Sequence, residues 1–189
     1  MATYTREELK ELGFRSMGED VHISKKASIY GAELISIGNH VRIDDFCVLS
    51  GKIEICDYIH IAVYSALFGG REGIKIGNYA NISSRVAIYA LSDDYSGQTM
   101  TNPMIPDQYK KVDHGRVVIG KHVILGTGCT VLPHVIIGDG SAVGAHSLVK
   151  HSCEPWRIFA GTPCRPIGQR SQQLLTLCRE FEEAQNAQG

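Results

Sequence analysis

An aliphatic residue returns at every sixth position through most of this chain. The frame starts at Ile37 and Ile43, recurs at Ile55, Ile61 and Leu67, and recurs again at Ile76, Ile82 and Ile88. After a break it resumes at Ile119, Leu125, Val131, Ile137, Val143 and Val149. The fifth position of these frames is small or β-branched, as at Val41, Ser65, Ala80, Val123, Cys129, Val135, Ser141 and Ser147. The second position is often glycine: Gly38, Gly77, Gly120, Gly126, Gly138 and Gly144. A period of six is neither the 3.6 of a helix nor the simple alternation of a strand. It predicts short strands joined by tight corners, with the first position pointing inward on each flat side. Three sides make a rung of about 18 residues, and stacked rungs satisfy one another's backbone groups. The pattern therefore predicts an all-β, parallel coil of about five to six rungs. Glycine at the second position fits a corner that needs backbone angles other residues resist.

Two breaks interrupt the frame. Between Leu67 and Ile76 three extra residues lie within the segment FGGREG, which predicts a bulged corner. Between Ile88 and Ile119 the frame is lost for a polar loop, about residues 92–116, containing Tyr95, Asp107, Tyr109 and Lys110. Long loops in compact domains are functional or disordered, and this one is expected to fold over something. The ends are different. Thr5-Arg6-Glu7-Glu8 reads as a capping box opening a helix. Leu174, Leu175, Cys178 and Phe181 mark one side of a C-terminal amphipathic helix, expected to cap the open end of the stack. One domain results: a helical segment at 1–20, a coil at 21–154 and a closing segment at 155–189.

Composition narrows the function. The 189 residues carry 19 basic and 20 acidic side chains, a formal charge of −1, which argues against a general nucleic-acid or acidic-membrane binder. No apolar run reaches the roughly 18–20 residues that span a bilayer, and the start MATYTREELKELG lacks the apolar core of a signal peptide. A cytoplasmic protein is expected. Cys47, Cys56, Cys129, Cys153, Cys164 and Cys178 contain no C-x-x-C pair, so they read as reduced thiols and no metal is expected.

Stacking the frames predicts which side chains meet. The sixth position of each rung's first side brings Arg42, His60, Asn81, Ile124 and Ala142 to one corner, with rungs about 4.8 Å apart. His60 stands out there because imidazole titrates near neutral pH. Further along, Leu125-Gly126-Thr127-Gly128, Val143-Gly144-Ala145-His146 and Ala160-Gly161-Thr162-Pro163-Cys164-Arg165-Pro166-Ile167 place small residues beside the cations Lys150 and Arg165.

With these segments the chain resembles the hexapeptide-repeat acyltransferases. It looks most like the galactoside and maltose O-acetyltransferase type, and the stretch Ser92-Asp93-Asp94-Tyr95 draws it towards the polysaccharide and nucleotide-sugar branch. The resemblance implies a left-handed parallel β-helix. It further implies a homotrimer with sites at subunit interfaces and acetyl-CoA as co-substrate. Gly126, Thr127, Gly144, Ala145 and Thr162 would line the coenzyme A groove, with Lys150 and Arg165 near its phosphates. The implied reaction is direct attack of a sugar hydroxyl on the thioester. His60 would be the base, Asn81 would orient the sugar, and Asp93 would orient or polarise His60 or the acceptor. His114 is the alternative base, and Arg85 and Asp94 are candidate acceptor contacts.

Three other readings stand beside this one. N-acetylation of an amino sugar is the main alternative, because an amine needs less help from a base. A γ-class carbonic anhydrase is a remote one, since His146 and His151 have its spacing but fall at different frame positions. A non-catalytic scaffold is the third, because fold alone does not imply activity.

Overall fold

The computed structural model describes residues 2–187. The chain winds into a left-handed parallel β-helix with three flat faces. On the first face Ile23, Ile43, Ile61, Ile82, Leu125, Val143 and Phe159 stack in register. On the second, Ile29, Leu49, Leu67, Ile88, Val131 and Val149 do the same. Met17, Ile37, Ile55, Ile76, Ile119 and Ile137 form the third. The frame aliphatics are buried, and the core is a narrow aliphatic column. Its first strand, Ser16–Met17, already pairs in parallel with the rung above, inside the segment expected to be helical.

At the corner after the third face and the corner after the first, most rungs turn through a residue in the left-handed region at the fourth frame position rather than the second. His40, Tyr58, Tyr79 and His122 hold φ between 54° and 63° at one corner, and Phe46, Tyr64, Arg85 and His146 hold φ between 57° and 64° at the next. A corner this short holds no crossover helix, and the packing of that helix is what imposes the right hand on other parallel connections. Each such residue is strained by about 1–2 kcal/mol. Stacking offsets part of it: His40, Tyr58, Tyr79 and His122 form a ladder with ring separations of 4.5, 5.2 and 4.9 Å.

The second-position glycines have a different reason from the one their angles suggested. A Cβ at Gly38 would lie 2.7 Å from the Cys56 carbonyl carbon, and one at Gly126 would lie 2.6 Å from the Ala145 nitrogen. They are glycines because the next rung passes too close for a side chain.

Helix α1, Arg6–Glu11, has the expected capping box between Thr5 and Glu8 and buries Leu9 at the N-terminal end of the column. Helix α2, Leu174–Asn186, does not cap the other end. It lies along the aromatic ladder, with Phe181 edge-on to Tyr58 and Tyr79, and the Tyr79 hydroxyl donates to Glu182 at 2.7 Å. An amphipathic face needs apolar surface, and the exposed ladder supplies it on the flank. The antiparallel strands Arg157–Gly161 and Cys164–Gln169 finish the coil instead, with Phe159 buried. Among the described residues no helix is long and apolar enough to cross a membrane.

Both breaks are structural features. At the first, Gly51 pairs with Gly70 and Ile53 with Ile74, so Lys52 alone opposes the bulged residues Arg71, Glu72 and Gly73. At the second, a hairpin leaves the corner between the second and third faces, its stem formed by Leu91–Asp93 and Val112–His114. Beyond the stem, Asp94 accepts hydrogen bonds from the Ser96 N–H at 2.8 Å, the Thr99 N–H at 3.0 Å and the Thr99 hydroxyl at 2.9 Å. The bonds from Ser96 and then Thr99 pull its carboxyl down from 3.8 to about 2.

Two predictions follow from this packing. Ile61→Ala should lower unfolding free energy by about 2–5 kcal/mol in a urea titration; a loss under about 1 kcal/mol would mean that the rungs close over the space. The Asp94 turn should be ordered above its unfolded carboxyl value of 3.8 and lose order as pH falls through about 2. Asp94→Ala should therefore abolish hydrogen-exchange protection at the Ser96 and Thr99 amides at neutral pH, with coil amides unaffected. Retained protection would mean that other bonds hold the turn.

Candidate active site

The predicted ladder on the first face is present: Arg42 pairs with His60, His60 with Asn81, Asn81 with Ile124, and Ile124 with Ala142. What holds it was not anticipated. Asp44 receives His60 Nε2 at 2.8 Å on one carboxylate oxygen and Arg42 Nε at 2.8 Å on the other. Burial alone would raise the Asp44 carboxyl, but the bonds from His60 and Arg42 outweigh it and hold the group below its usual range. Asp44 lies two residues after Arg42, just past the end of the strand Val41–Ile43, and its carboxylate turns back to meet both side chains. That spacing is the signal that could have found it. Asn81 is exposed and stands in register beside His60.

Asp93 does not join them. It sits on the hairpin stem opposite Val112, whereas His60 belongs to the first face and already has Asp44 as its partner. The expected His60–Asp93 pairing is therefore corrected within one chain: they leave the coil from different sides. Asp93 instead lines a cavity of about 710 Å³ beneath the hairpin, with Phe68, Tyr89, Leu91, Asn102, Lys110 and Leu132 among its walls. Phe68 and Tyr89 stack at 5.1 Å and form an aromatic floor. The Lys110 side chain is only 14% exposed and meets Asp107, itself 98% exposed, at 3.1 Å. Asp94, considered as an acceptor contact, is engaged by its own loop as described above. His114, the alternative base, pairs with Leu91 at the foot of the stem, and its Nδ1 is buried without a hydrogen-bond partner. Its neighbour Asp113 reaches His134 Nε2 at 3.0 Å.

The small-residue segments gather on the corner between the first and second faces. Asp44, Ala62, Ser83, Gly126, Gly144 and Ala160 succeed one another there, each N–H bonded to the carbonyl of the first-face residue on the next rung where one follows. Thr127 and Ser84 bring their hydroxyls within 3.4 Å, Arg85 turns the same corner, and Ala145 lies against Gly126. The Thr162 hydroxyl donates to the His146 carbonyl at 3.1 Å. Lys150 and Arg165 are exposed, and among the described residues neither has an acidic partner. Sequence reasoning missed Ser84, whose signal was its place one rung below Thr127. Thus His60 and the small-residue corner lie together, and the hairpin acids lie apart from both. Among the described residues no three histidine, cysteine or acidic side chains converge as metal ligands.

Comparison with known proteins fits this geometry. The family described as bacterial transferase hexapeptide (six repeats) matches residues 116–151. A dTDP-4-amino-4,6-dideoxy-D-glucose acyltransferase of Escherichia coli is 54% identical over 185 residues, covering 96% of each chain. A protein of Escherichia coli strain K12 named as a lipopolysaccharide biosynthesis O-acetyl transferase, WbbJ, is 34% identical over 155 residues, covering 77% of this chain and 74% of its own. The crystal structure of AntD, an N-acyltransferase from Bacillus cereus, in complex with dTDP and 3-hydroxybutyryl-CoA superposes with a TM-score of 0.96. It is 52% identical, covering 98% of this chain and 100% of that one. A full-length repeat coil with a small-residue corner and an extruded hairpin, similar over nearly its whole length to such an enzyme, belongs to the hexapeptide-repeat acyltransferases, and this chain is an acyltransferase of that family.

Proposed function

We propose that the chain transfers an acyl group from an acyl-coenzyme A to the amino group of a nucleotide-linked amino sugar. One observation carries the choice of amine over hydroxyl. Asp93 lines the cavity beneath the hairpin, is exposed, and among the described residues has no cationic partner. The one lysine that lines the cavity, Lys110, is held by Asp107. A protonated sugar amine supplies the missing cation, which a neutral hydroxyl cannot do. Once one proton has gone, the amine attacks without further help, so a carboxylate suffices where an alcohol would need a stronger base. The Escherichia coli relative is named for such a sugar nucleotide. The Bacillus cereus enzyme was solved with dTDP-4-amino-4,6-dideoxyglucose and coenzyme A in a serine variant, and other variants replace an aspartate. This preference for N-acylation replaces the O-acetylation first expected from the sequence.

In the proposed mechanism the donor runs along the corner lined by Gly126, Thr127, Gly144, Ala145 and Thr162, where backbone N–H and C=O groups meet the pantetheine arm. Lys150 and Arg165 take its phosphates. The acceptor lies beneath a hairpin, its ammonium held by Asp93, which receives the proton, while Asp94 holds the turn beside it. The amine nitrogen then bonds to the thioester carbonyl carbon, the Ser84 and Thr127 hydroxyls donate to the developing oxyanion, and the C–S bond breaks as the nitrogen's second proton passes to the departing sulfur, releasing coenzyme A as its thiol. Corner and hairpin lie on different sides of one coil. A second copy, in the homotrimer that we also propose, brings its hairpin over the corner of the first.

The test is turnover on a dTDP-linked 4-amino sugar with acetyl-CoA. Asp93→Asn should lower it about 100-fold, the scale of general-base loss, with coenzyme A affinity retained. His60→Ala should stay within about 10-fold of the parent. The reverse ranking would return the base to His60 on the first face. By calorimetry, Arg165→Ala should weaken coenzyme A binding about 10-fold, as for one lost charged hydrogen bond. An unchanged affinity would remove Arg165 from the phosphate path.

A further inference from the structure

We infer that the third face carries an additional anion site, built to take a diphosphate group, in a cleft at the foot of the hairpin. The cleft holds about 340 Å³ and shares no lining residue with the cavity beneath the hairpin or with the small-residue corner. Arg15, Lys52 and Arg116 line it, and among the described residues none of the three has an acidic partner. Two acids also line it, but each is already engaged. Glu54 meets Lys75 at 2.5 Å, and Glu72 meets Arg71 at 3.4 Å. Three like charges thus face one hollow in a chain whose net charge is −1. Mutual repulsion disfavours that arrangement unless an anion completes it.

The cleft is also braced. Lys52 is the residue opposed by the bulge, and the bulge packs on its stem. A Cβ at Gly69 would come 2.1 Å from the Lys52 carbonyl oxygen, and one at Gly73 would come 3.1 Å from its Cγ. Glycine is required at Gly73 for a second reason, a φ of 94°. Ser16 and Ser36 pair across adjacent rungs on the same wall and add hydroxyl donors. Two guanidinium forks and one ammonium around a small hollow match two linked phosphoryl groups better than a single carboxylate.

Such a diphosphate has two sources, the sugar-nucleotide acceptor itself or a separate nucleoside diphosphate. The first source rests on the proposed function, whereas the second does not. The experiment is a calorimetric titration of the intact protein with inorganic pyrophosphate in low salt, with coenzyme A present to occupy the donor corner. Saturable binding of one pyrophosphate per chain is expected. Lys52→Gln and Arg116→Gln should each weaken it about 10-fold or more, and Arg165→Ala should leave it unchanged. All three side chains are exposed, so these variants keep the core intact. The KM for the sugar nucleotide then separates the sources. A rise of about 10-fold in Lys52→Gln assigns the site to the acceptor's diphosphate, and an unchanged KM assigns it to a separate nucleotide. Absence of saturable binding, or binding that survives both substitutions, overturns the site. Lost coenzyme A binding would instead overturn the acyl-transfer reading.

Discussion

Rungs stacked about 4.8 Å apart leave, at particular corners, no room for a Cβ between one backbone and the next. Almost everything else in this molecule answers to that spacing. It selects glycine at Gly38 and Gly126, where a methyl carbon would sit within 2.7 Å of backbone atoms of the next rung. It makes the ring stacks of the His40–Tyr58–Tyr79–His122 ladder possible, since aromatic faces separated by one rung are near their preferred distance. It also makes the interior a single file of aliphatic side chains, each touching its counterparts above and below, with no space for bulky aromatics until Phe159 closes the column.

Strict register limits where chemistry can be placed. Inward positions are committed to the core, so reactive groups occupy outward positions, corners or insertions. Outward positions give vertical neighbours automatically, which is how Arg42, His60 and Asn81 come together. Corners give small-residue tracks with regularly spaced backbone groups, suited to an extended ligand. Only an insertion can depart from the coil far enough to enclose a second substrate. The hairpin stem Leu91–Asp93 with Val112–His114 meets that need, and its base is fixed by an antiparallel ladder rather than by the frame.

This division explains what could be read from the sequence. The frame, both breaks, the capping box at Thr5 and Glu8, and the register of Arg42 with His60 and Asn81 are one-dimensional consequences of a six-residue period. Asp44 escaped because the frame tracks one position per side, whereas Asp44 begins the corner and reaches back to its i−2 neighbour Arg42 and across to His60. The pairing of His60 with Asp93 failed because a loop of unknown path has no register, so its acids could be assigned to any face. The resting place of α2 was hidden for a similar reason. Its apolar side was legible at Leu174, Leu175, Cys178 and Phe181, but the surface it covers is the ladder of left-handed corner residues, which no propensity rule anticipates. The glycines were found for the wrong reason, angle rather than approach.

The same rigidity bears on how a two-substrate reaction is built on such a coil. A β-helix cannot hinge between rungs without breaking the hydrogen bonds that define it, so domain closure is closed to this architecture. A transferase made from it must bring donor and acceptor together by other means: an inserted element that can adjust, and a neighbouring copy that presents it. The small-residue corner supplies a fixed track for an extended donor. The hairpin, ordered just beyond its stem by the hydrogen bonds to Asp94 rather than by rung stacking, is the part to which the proposed function assigns the sugar. Their placement on different sides of each coil is the reason a symmetric assembly is proposed, in which one rotation would set every hairpin against every corner. In the proposed function, acceptor specificity is assigned to the hairpin with Asp93, and donor binding to the coil.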